Sequence, residues 1–252
     1  MTLQDFFAEN PACAVAFSGG VDSAALLSAA VTYGRKAAAS FVRAVFQPEF
    51  ELKDALETAE RLGTELRILD FDILSVPEVA ANPADRCYYC KRALFSRILA
   101  AAEADGFPVV LDGCNASDDE AGRPGMRALR ELGVRSPLRE CGMAKTAVRR
   151  LAREAGLPVW DKPSYACLAT RVPVGTAITA RDLERVSRGE DALVALGLAD
   201  FRLRLRGENA LLQVRAEQMP LAQTLLPELQ AGLAADFHSI FLDGIPRPPR
   251  EN

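Results

Sequence analysis

Two glycines and two hydroxyl side chains stand close together near the N-terminus, in the segment Ser18-Gly19-Gly20-Val21-Asp22-Ser23. A short apolar run, residues 13–17, precedes the segment, and residues 21–33 after it have helical spacing. A loop between a buried strand and a helix start offers backbone N–H groups and the positive end of the helix dipole to a phosphate. Neither a Walker A ending nor a Gly-x-Gly-x-x-Gly fingerprint is present. The pattern predicts a phosphate loop of another type, with a plain glycine-rich turn as the alternative.

The second chemical feature is a set of three cysteines. Cys87 and Cys90 are three residues apart at a predicted helix start, which places both thiols on one helical face. Cys167 lies in an irregular, proline-rich stretch. Zinc would need four ligands, and the sole histidine, His238, has no partner motif. A redox pair, a core role and a helix-capping role stay open for the pair. The other three cysteines are predicted to be structural: Cys13, Cys114 and Cys141.

Alternating strands and helices must position these groups. Strands are predicted at residues 13–17, 40–46, 66–71 and 109–112, and helices at 21–33, 51–62, 91–104 and 144–155. Repeated βα units predict an α/β fold, a parallel sheet with helices on both faces. Ligands bind beyond the carboxyl ends of such strands, so Ser18, Phe46 and Asp112 are expected to converge there. Gly113 would let the backbone approach a ligand, and a surface loop explains residues 115–119 equally well.

A smaller second region follows residue 172. Strands are predicted at 201–205, 210–215 and 237–242, and helices at 180–196 and 221–233, which together indicate a small α+β domain. Arg202, Arg204 and Arg206 alternate along one strand and face one side. They are candidates for binding carboxylate or phosphate, with a solvated basic face as the alternative. Glu190 and Asp191 are predicted to lie on a solvated helix face, with metal binding as the alternative.

Composition limits the class of protein. With 252 residues, 49% apolar and 25% charged, the chain has enough material for a folded core. The net charge of −4 and pI near 5.3 disfavour a nucleic-acid partner. No apolar run approaches the ~20 residues that span a membrane, and the first residues lack a basic signal sequence. These features predict a cytoplasmic protein with no membrane partner.

The loop resembles the PP-loop, Ser-Gly-Gly-x-Asp-Ser, of enzymes that split ATP into AMP and pyrophosphate. Together with the segments 111–119 and 161–173, it resembles the sulfur transferase family that builds the nickel-pincer nucleotide of lactate racemase. The resemblance extends from about residue 14 to 206. It implies a PP-loop ATP-pyrophosphatase domain over residues 1–172 and an α+β substrate and oligomerisation domain over 173–252.

The chain departs from the family pattern at three places. The family has Thr where Cys114 stands, and Ala-Arg-Ile-Glu-Val where residues 210–214 are Ala-Leu-Leu-Gln-Val. Its glycine-rich ending is replaced here by Asp243-Gly244-Ile245-Pro246. The last two departures affect the second domain and leave the ATP site unchanged.

The resemblance implies a role for each matching residue. The expected chemistry is adenylation of a carboxylate on pyridinium-3,5-biscarboxylic acid mononucleotide, then sulfur delivery to give the thiocarboxylate. ATP and Mg²⁺ are therefore expected cofactors, a small nucleotide is the expected substrate, and a homo-oligomer is the expected assembly. Asp22 is expected to hold magnesium and to be catalytic. The residues expected to bind ATP and pyrophosphate are Ser18, Gly19, Gly20, Asp22, Ser23 and Gly113, and those expected to bind substrate are Arg171, Arg204 and Arg206.

Two sources of sulfur follow from the resemblance. In the simplest family members a cysteine at the position of Cys167 gives up its own sulfur and becomes dehydroalanine. In cluster-dependent relatives, cysteines placed like Cys87, Cys90 and Cys167 hold a [4Fe-4S] cluster with one iron open to sulfide. The Cys-x-x-Cys pair favours the cluster, with the external sulfide donor unknown and the sacrificial cysteine as the alternative.

Three rival functions remain. A tRNA-thiolating PP-loop enzyme would carry a basic groove, which the acidic pI disfavours. ATP-dependent amidation, as in NAD or GMP synthesis, leaves Cys87, Cys90 and Cys167 without a role. A nucleotide-binding regulator would keep the loop and release no pyrophosphate, so a pyrophosphate assay separates it.

Overall fold

The computed structural model describes residues 1–119 and 124–248. The described residues form two compact units: the first comprises residues 1–79, 85–119 and 124–165, and the second comprises residues 80–84 and 166–248. The helices of the described residues are α1 (Leu3–Glu9), α2 (Val21–Tyr33), α3 (Glu49–Arg61), α4 (Pro77–Ala80), α5 (Arg86–Ala104), α6 (Pro124–Glu131), α7 (Pro137–Glu140), α8 (Lys145–Glu154), α9 (Ala180–Ala195) and α10 (Met219–Gly232). The strands are β1 (Ala12–Ala16), β2 (Lys36–Arg43), β3 (Leu66–Asp70), β4 (Val110–Leu111), β5 (Arg202–Arg206), β6 (Asn209–Gln213) and β7 (Ile240–Leu242).

The first unit is built on a parallel sheet with the strand order β3-β2-β1-β4. Strand β1 is central, because Ala14 is in register with Ala38 of β2 on one side and Val110 of β4 on the other. A central strand pairs along both edges, so its direction and end point are fixed by two neighbours. The phosphate loop leaves this strand at its carboxyl end.

Side chains of β1 alternate between two cores. Cys13 and Val15 pack with buried residues of α1, α2 and α8 on one face. Ala14 packs with α5 and α6 on the other, against Phe95 and Met126. Helix α2 is apolar on nearly all sides, which suits a helix covered by both the sheet and other helices. The prediction of a parallel sheet with helices on both faces is confirmed.

Two predicted boundaries in the first unit are wrong. The strand expected at 40–46 is β2, which spans Lys36–Arg43. Its early residues are lysine and alanine, which have low strand propensity, and pairing with β1 overrides that preference. The helix expected at 91–104 is α5, which begins five residues earlier at Arg86. Cys87 and Cys90 therefore lie within the first turns of a 19-residue helix.

The second unit is a small α+β domain, as predicted. Strands β5 and β6 are antiparallel, and β7 joins β6 in parallel. Helix α9 packs on β5 at Gly189, where an added Cβ would lie 2.3 Å from a methyl carbon of Leu203. The segment Ala80–Ala84 belongs to this unit because the Asn82 amide donates to the carbonyls of Pro173 and Thr176 at 2.9 and 3.0 Å.

None of the helices in the described parts of the chain combines the length and apolar character that a membrane crossing requires.

Candidate functional site

The loop between β1 and α2 has a backbone shape that depends on glycine. Gly19 has φ +77°, and an added Cβ would lie 2.7 Å from the carbonyl oxygen of Glu51 and 3.1 Å from the amide nitrogen of Ala55. The Ser18 and Ser23 hydroxyls lie 3.2 Å apart, and the Ser23 hydroxyl donates to the Gly20 carbonyl at 3.0 Å. The loop is therefore held by its own hydroxyls and by close packing against α3.

Two further glycines, Gly20 and Gly113, differ in the room that they leave for a side chain at the loop. Among the described residues, a Cβ on Gly20 would meet only the Ser18 hydroxyl within 4 Å, at an ordinary contact distance of 3.5 Å. Gly20 is the N-cap of α2, and the N-terminus of a helix offers backbone N–H groups to a phosphate. A Cβ on Gly113 would lie 2.9 Å from the amide nitrogen of Ser23. The end of β4 can thus approach the loop only because residue 113 lacks a side chain.

The Asp22 carboxylate lies in the first turn of α2 and is held by two side chains. Lys145 forms an ion pair with one oxygen at 2.5 Å, and the Asn115 amide donates to the other at 3.1 Å. The Lys145 backbone amide also donates to the Ser117 hydroxyl at 3.0 Å, which joins the start of α8 to the segment after β4. Asn115 and Ser117 therefore belong to the site rather than to a separate surface loop.

Lys145 was missing from the sequence-based candidates. It is the first residue of α8, where a positive charge is unfavourable because the helix dipole is positive at that end. That local conflict is the signal by which Lys145 could have been identified. Its contact with Asp22 explains the placement.

Asp112 is buried at the end of β4 and is contacted by several polar side chains. The Ser136 hydroxyl donates to one carboxylate oxygen at 2.5 Å, and the Cys114 thiol donates to the other at 2.7 Å. The Lys91 ammonium lies 3.8 Å from the same carboxylate. Burial, reinforced by the negative charge of Asp112, raises the pKa of Cys114 to about 12. Cys114 is thus a protonated hydrogen-bond donor here, in agreement with a structural role near the site.

These groups line one cleft of about 320 Å³ in the first unit. Ser18, Asp22, Gly113 and Asp112 form its polar part, and Phe41, Val42, Leu94, Phe95 and Ile98 are among the apolar residues that line the rest of it. Such a cleft combines polar groups for phosphate with an apolar lining, as a nucleotide requires. Ser18 and Asp112 converge as expected, but Phe46 does not line the cleft. It is buried, with the Arg86 guanidinium 5.8 Å from its ring centre, and Gln47 lines the cleft.

The Cys87 and Cys90 thiols lie on the first turns of α5. Cys87 is exposed and Cys90 is half-buried, and Arg86 lies 3.7 Å from the Cys87 sulfur. Cys167 belongs to the second unit. Within residues 1–119 and 124–248, no three His, Cys, Asp or Glu side chains are grouped so that they could hold a metal ion. The cluster expected on Cys87, Cys90 and Cys167 therefore stays a prediction.

In the second unit, Cys167 is the N-cap of a short 3₁₀ turn, Leu168–Arg171. Arg171 supports this turn: its guanidinium donates to the Ala166 carbonyl at 2.9 Å and to the Thr170 hydroxyl at 2.8 Å. The Arg171 side chain is fully buried and pairs with both oxygens of Glu190, at 2.7 and 3.0 Å. The prediction that Glu190 lies on a solvated face is wrong, because the sequence does not reveal its buried partner.

The three arginines of β5 differ from one another. Arg202 is buried, Arg204 is half-buried and Arg206 is exposed, so the fully solvated basic face is excluded for the first two. Burial, and next the charge of Arg171, lowers the pKa of Arg202 to about 10 and also lowers that of Arg204. Arg204 donates to the Thr170 carbonyl at 2.7 Å. Arg204 therefore also supports the turn that begins at Cys167.

The departures from the family pattern meet in this region. Gln213 accepts a hydrogen bond from Arg204 at 2.6 Å and donates one to Asp243 at 2.7 Å. The neutral amide of Gln213 thus links the Arg204 guanidinium to the Asp243 carboxylate. Glutamine at 213 and aspartate at 243 form one connected set rather than two unrelated changes.

Comparisons with known proteins agree with this geometry. The sequence profile of the asparagine synthase family matches residues 8–178. An uncharacterized protein of Synechocystis sp. is 39% identical over 221 residues, which cover 86% of this chain and 81% of that protein. Pyridinium-3,5-bisthiocarboxylic acid mononucleotide synthase of Lactiplantibacillus plantarum is 36% identical over 203 residues, which cover 79% and 73% respectively. Argininosuccinate synthase of Haloarcula marismortui is 33% identical over 161 residues, but these cover only 38% of that protein.

Proposed function

The chain is an enzyme of the asparagine synthase family and belongs with pyridinium-3,5-bisthiocarboxylic acid mononucleotide synthase, and on this premise we propose that it is an ATP-dependent sulfurtransferase. The proposed substrate is pyridinium-3,5-biscarboxylic acid mononucleotide. One carboxylate oxygen attacks the α-phosphorus of ATP, pyrophosphate leaves, and an acyl adenylate forms. A sulfur nucleophile then attacks the acyl carbon, AMP leaves, and the product is the thiocarboxylate.

The observation that carries this proposal is the close approach of β4 to the phosphate loop. Gly113 lies so near Ser23 and Asp22 that a methyl group has no room, whereas a methyl group on Gly20 would make only an ordinary contact with Ser18. Gly20 is the N-cap of α2, where backbone N–H groups and the helix dipole favour an anion. A leaving pyrophosphate would fit this place, so the loop supports cleavage between the α and β phosphates.

We assign pyrophosphate binding to Ser18, Gly19, Gly20 and Ser23, with Gly113 completing the cradle. Asp22 supplies a carboxylate oxygen at the edge of the cleft, which suits Mg²⁺, an ion usually held by one or two carboxylates together with phosphate oxygens. Magnesium there would neutralise charge that develops on pyrophosphate.

We assign a second role at this edge to Lys145. The ammonium that now pairs with Asp22 is close enough to turn toward a phosphate oxygen when a cation takes over the carboxylate. Its charge would then act on the same pyrophosphate.

Residues 173–252, which form most of the second unit, are proposed to bind substrate and to mediate assembly into a homo-oligomer. Residues 1–172 are proposed to carry the ATP chemistry. Arg204 and Arg206 are the proposed contacts for a substrate carboxylate or phosphate. Arg171 is proposed to act through the Cys167 turn, because its donors already serve protein acceptors.

The origin of the sulfur is a finer part of the proposal. A cluster ligated by Cys87, Cys90 and Cys167 stays a prediction, since no group of three metal-ligating side chains is found among residues 1–119 and 124–248. The alternative is that Cys167 is consumed: its thiolate attacks the acyl carbon, AMP leaves, and β-elimination across Cα and Cβ releases the thiocarboxylate and leaves dehydroalanine. No nucleic-acid partner is proposed.

Product analysis tests the adenylation step. With ATP, magnesium and the dicarboxylate mononucleotide, we expect AMP and pyrophosphate in equal amounts, and little of either when the mononucleotide is left out. ADP and phosphate as the stoichiometric products would sink the proposal. Pyrophosphate release without any thiocarboxylate would leave adenylation standing and remove the sulfur step.

Intact-protein mass spectrometry after turnover separates the two sulfur sources. Protein purified and reconstituted without oxygen is first assayed for iron and acid-labile sulfide. If a cluster delivers sulfide, the mass of the Cys167 peptide stays unchanged, and Cys87→Ala and Cys90→Ala lose activity. A loss at Cys167 of one hydrogen sulfide per product, with both variants active, establishes the sacrificial cysteine.

A further inference from the structure

Helix α3 contacts the phosphate loop through one of its faces. Glu51 and Ala55 are four residues apart and therefore lie on the same side of the helix. Their backbone atoms are the ones that a Cβ on Gly19 would meet, at 2.7 and 3.1 Å. This face of α3 is thus packed directly on the loop to which pyrophosphate binding is assigned.

The neighbouring face of α3 carries a second pair, Phe50 and Asp54, also four residues apart. The Asp54 carboxylate forms an ion pair with the Lys162 ammonium at 2.5 Å. The Phe50 ring meets the Tyr165 ring edge to face, with centroids 5.1 Å apart and planes at 86°. We call these two contacts the α3 tether; both lie inside the first unit.

The α3 tether contacts residues 161–165, a segment in which most side chains are exposed. Residues 161–164 are exposed, whereas the Asp54 side chain is only 14% exposed. Before them, Arg149 of α8 donates to the carbonyls of Trp160 and Lys162 at 2.7 and 3.1 Å. Side chains of α8 and α3 therefore fix successive points of this surface segment.

Cys167 follows Tyr165 by two residues, so their Cα atoms are at most about 7 Å apart along the chain. Whatever fixes Tyr165 therefore restricts the region that the Cys167 sulfur can reach. The restriction matters in either sulfur mechanism, because Cys167 is the donor in one and a ligand in the other.

We infer that Phe50 and Asp54 are positioning residues for sulfur transfer: through the α3 tether they fix the departure point of the Cys167 segment relative to the phosphate loop. This inference rests on the proposed function for its chemistry. The inference goes beyond the proposed function because it makes α3 the element that links the loop used for adenylation to the segment used for sulfur delivery. Neither residue is expected to touch ATP or substrate.

The test measures thiocarboxylate formed per pyrophosphate released. In Asp54→Ala and in Phe50→Ala, pyrophosphate release should stay within about twofold of wild type, because Lys162 and Phe50 are 49% and 44% exposed and partly solvated contacts of this kind contribute little to the fold. The ratio of thiocarboxylate to pyrophosphate should fall on the order of tenfold, because misplacing a reacting group is costly. The double variant Asp54→Lys with Lys162→Asp reverses the ion pair and should restore most of the ratio.

Asp236→Ala is a matched control. Asp236 pairs with Arg188 at 2.5 Å, and their side chains are 13% and 55% exposed, against 14% and 49% for Asp54 and Lys162. Loss of this pair in the second unit should leave the ratio unchanged. An unchanged ratio in both α3 variants would overturn the inference, and so would a parallel fall of pyrophosphate release and sulfur transfer.

Hydrogen exchange of residues 162–168 gives a readout that does not depend on the reaction. Asp54→Ala and Phe50→Ala should speed exchange in this segment several-fold, and the reversed ion pair should restore protection. If wild-type protein forms no thiocarboxylate, the proposed function fails, and exchange alone decides the tether. Unchanged exchange in both variants would overturn it.

Discussion

Gly19 and Gly20 are adjacent in the phosphate loop, but replacing them by alanine should affect different properties: stability for Gly19 and activity for Gly20. Gly19 has φ +77°, and its missing Cβ would meet backbone atoms of α3. Gly20 has φ −75° as the N-cap of α2, and its Cβ would meet only the Ser18 hydroxyl at an ordinary distance of 3.5 Å. Gly19→Ala should therefore destabilise the fold, while Gly20→Ala should place a methyl group at the proposed phosphate position.

The size of the difference follows from these contacts. A non-glycine residue in the left-handed region costs about 1–2 kcal/mol, and forcing a methyl group against rigid backbone costs about 1–3 kcal/mol. Gly19→Ala should thus lower the free energy of unfolding by roughly 2–5 kcal/mol, which is a large part of an ordinary domain's stability. Gly20→Ala has neither cost and should lose at most about 1 kcal/mol, since alanine is a poorer N-cap than glycine.

Urea unfolding and ATP-dependent pyrophosphate release, measured on both variants, check this reasoning. We expect Gly20→Ala to fold like wild type with its KM for ATP raised or its turnover lost. Gly19→Ala should be destabilised in the absence of ATP. If Gly19→Ala unfolds within about 0.5 kcal/mol of wild type, the close packing on α3 is not as described. If Gly20→Ala keeps full activity, the phosphate is not bound beside Gly20 at the N-terminus of α2.

The remaining predictions concern the cleft and the thiols. Asp22→Asn should abolish most adenylation at every magnesium concentration while leaving urea unfolding close to wild type; undiminished turnover would remove Asp22 from the proposed magnesium site. Lys145→Met should lower turnover more than it raises the KM for magnesium, and a pure magnesium effect would restrict Lys145 to holding Asp22. Exposed Cys87 should react with iodoacetamide at pH 8, whereas Cys13 and Cys114 should not, because burial raises their pKa to about 12 and leaves little thiolate; equal labelling by peptide mass spectrometry contradicts this. In the unfolded chain the Cys13 and Cys114 thiols would ionise near pH 9.0. Below that pH their ionisation should not affect the free energy of unfolding, and as the pH rises toward 12 the free energy of unfolding should fall.

The order of strands and helices was predictable where local pattern and tertiary packing agree. The α2 prediction matches Val21–Tyr33, because its apolar residues have helical spacing between a glycine at each end. The β2 prediction failed at both ends, because the alanine-rich start of that strand is decided by its neighbours. Pairing partners are distant in sequence, so no local pattern could have placed this start.

The candidate site was predictable where it depends on backbone. Gly19 and Gly113 could be identified from sequence because glycine is the residue that permits close approach and unusual φ. Asp54 could not, because its partner Lys162 is 108 residues away. For Lys145 the sequence offers only its positive charge at a helix start, since its partner Asp22 is 123 residues away. Ion pairs of this kind leave no periodic signal.

The two halves of the proposed reaction place different demands on the chain, and the structure meets them differently. Phosphate binding needs donors at fixed positions, which backbone N–H groups provide without loss of side-chain entropy. Sulfur transfer needs a nucleophile at a defined place, and the exposed residues 161–164 cannot be fixed by burial. Side chains of α3 and α8 meet this need, because they contact successive points of the segment that leads to Cys167. Helix α3 also packs on the phosphate loop at Gly19. The same helix therefore sets the position of the loop used for adenylation and of the segment used for sulfur delivery, which is why loss of the α3 tether should separate the two half-reactions.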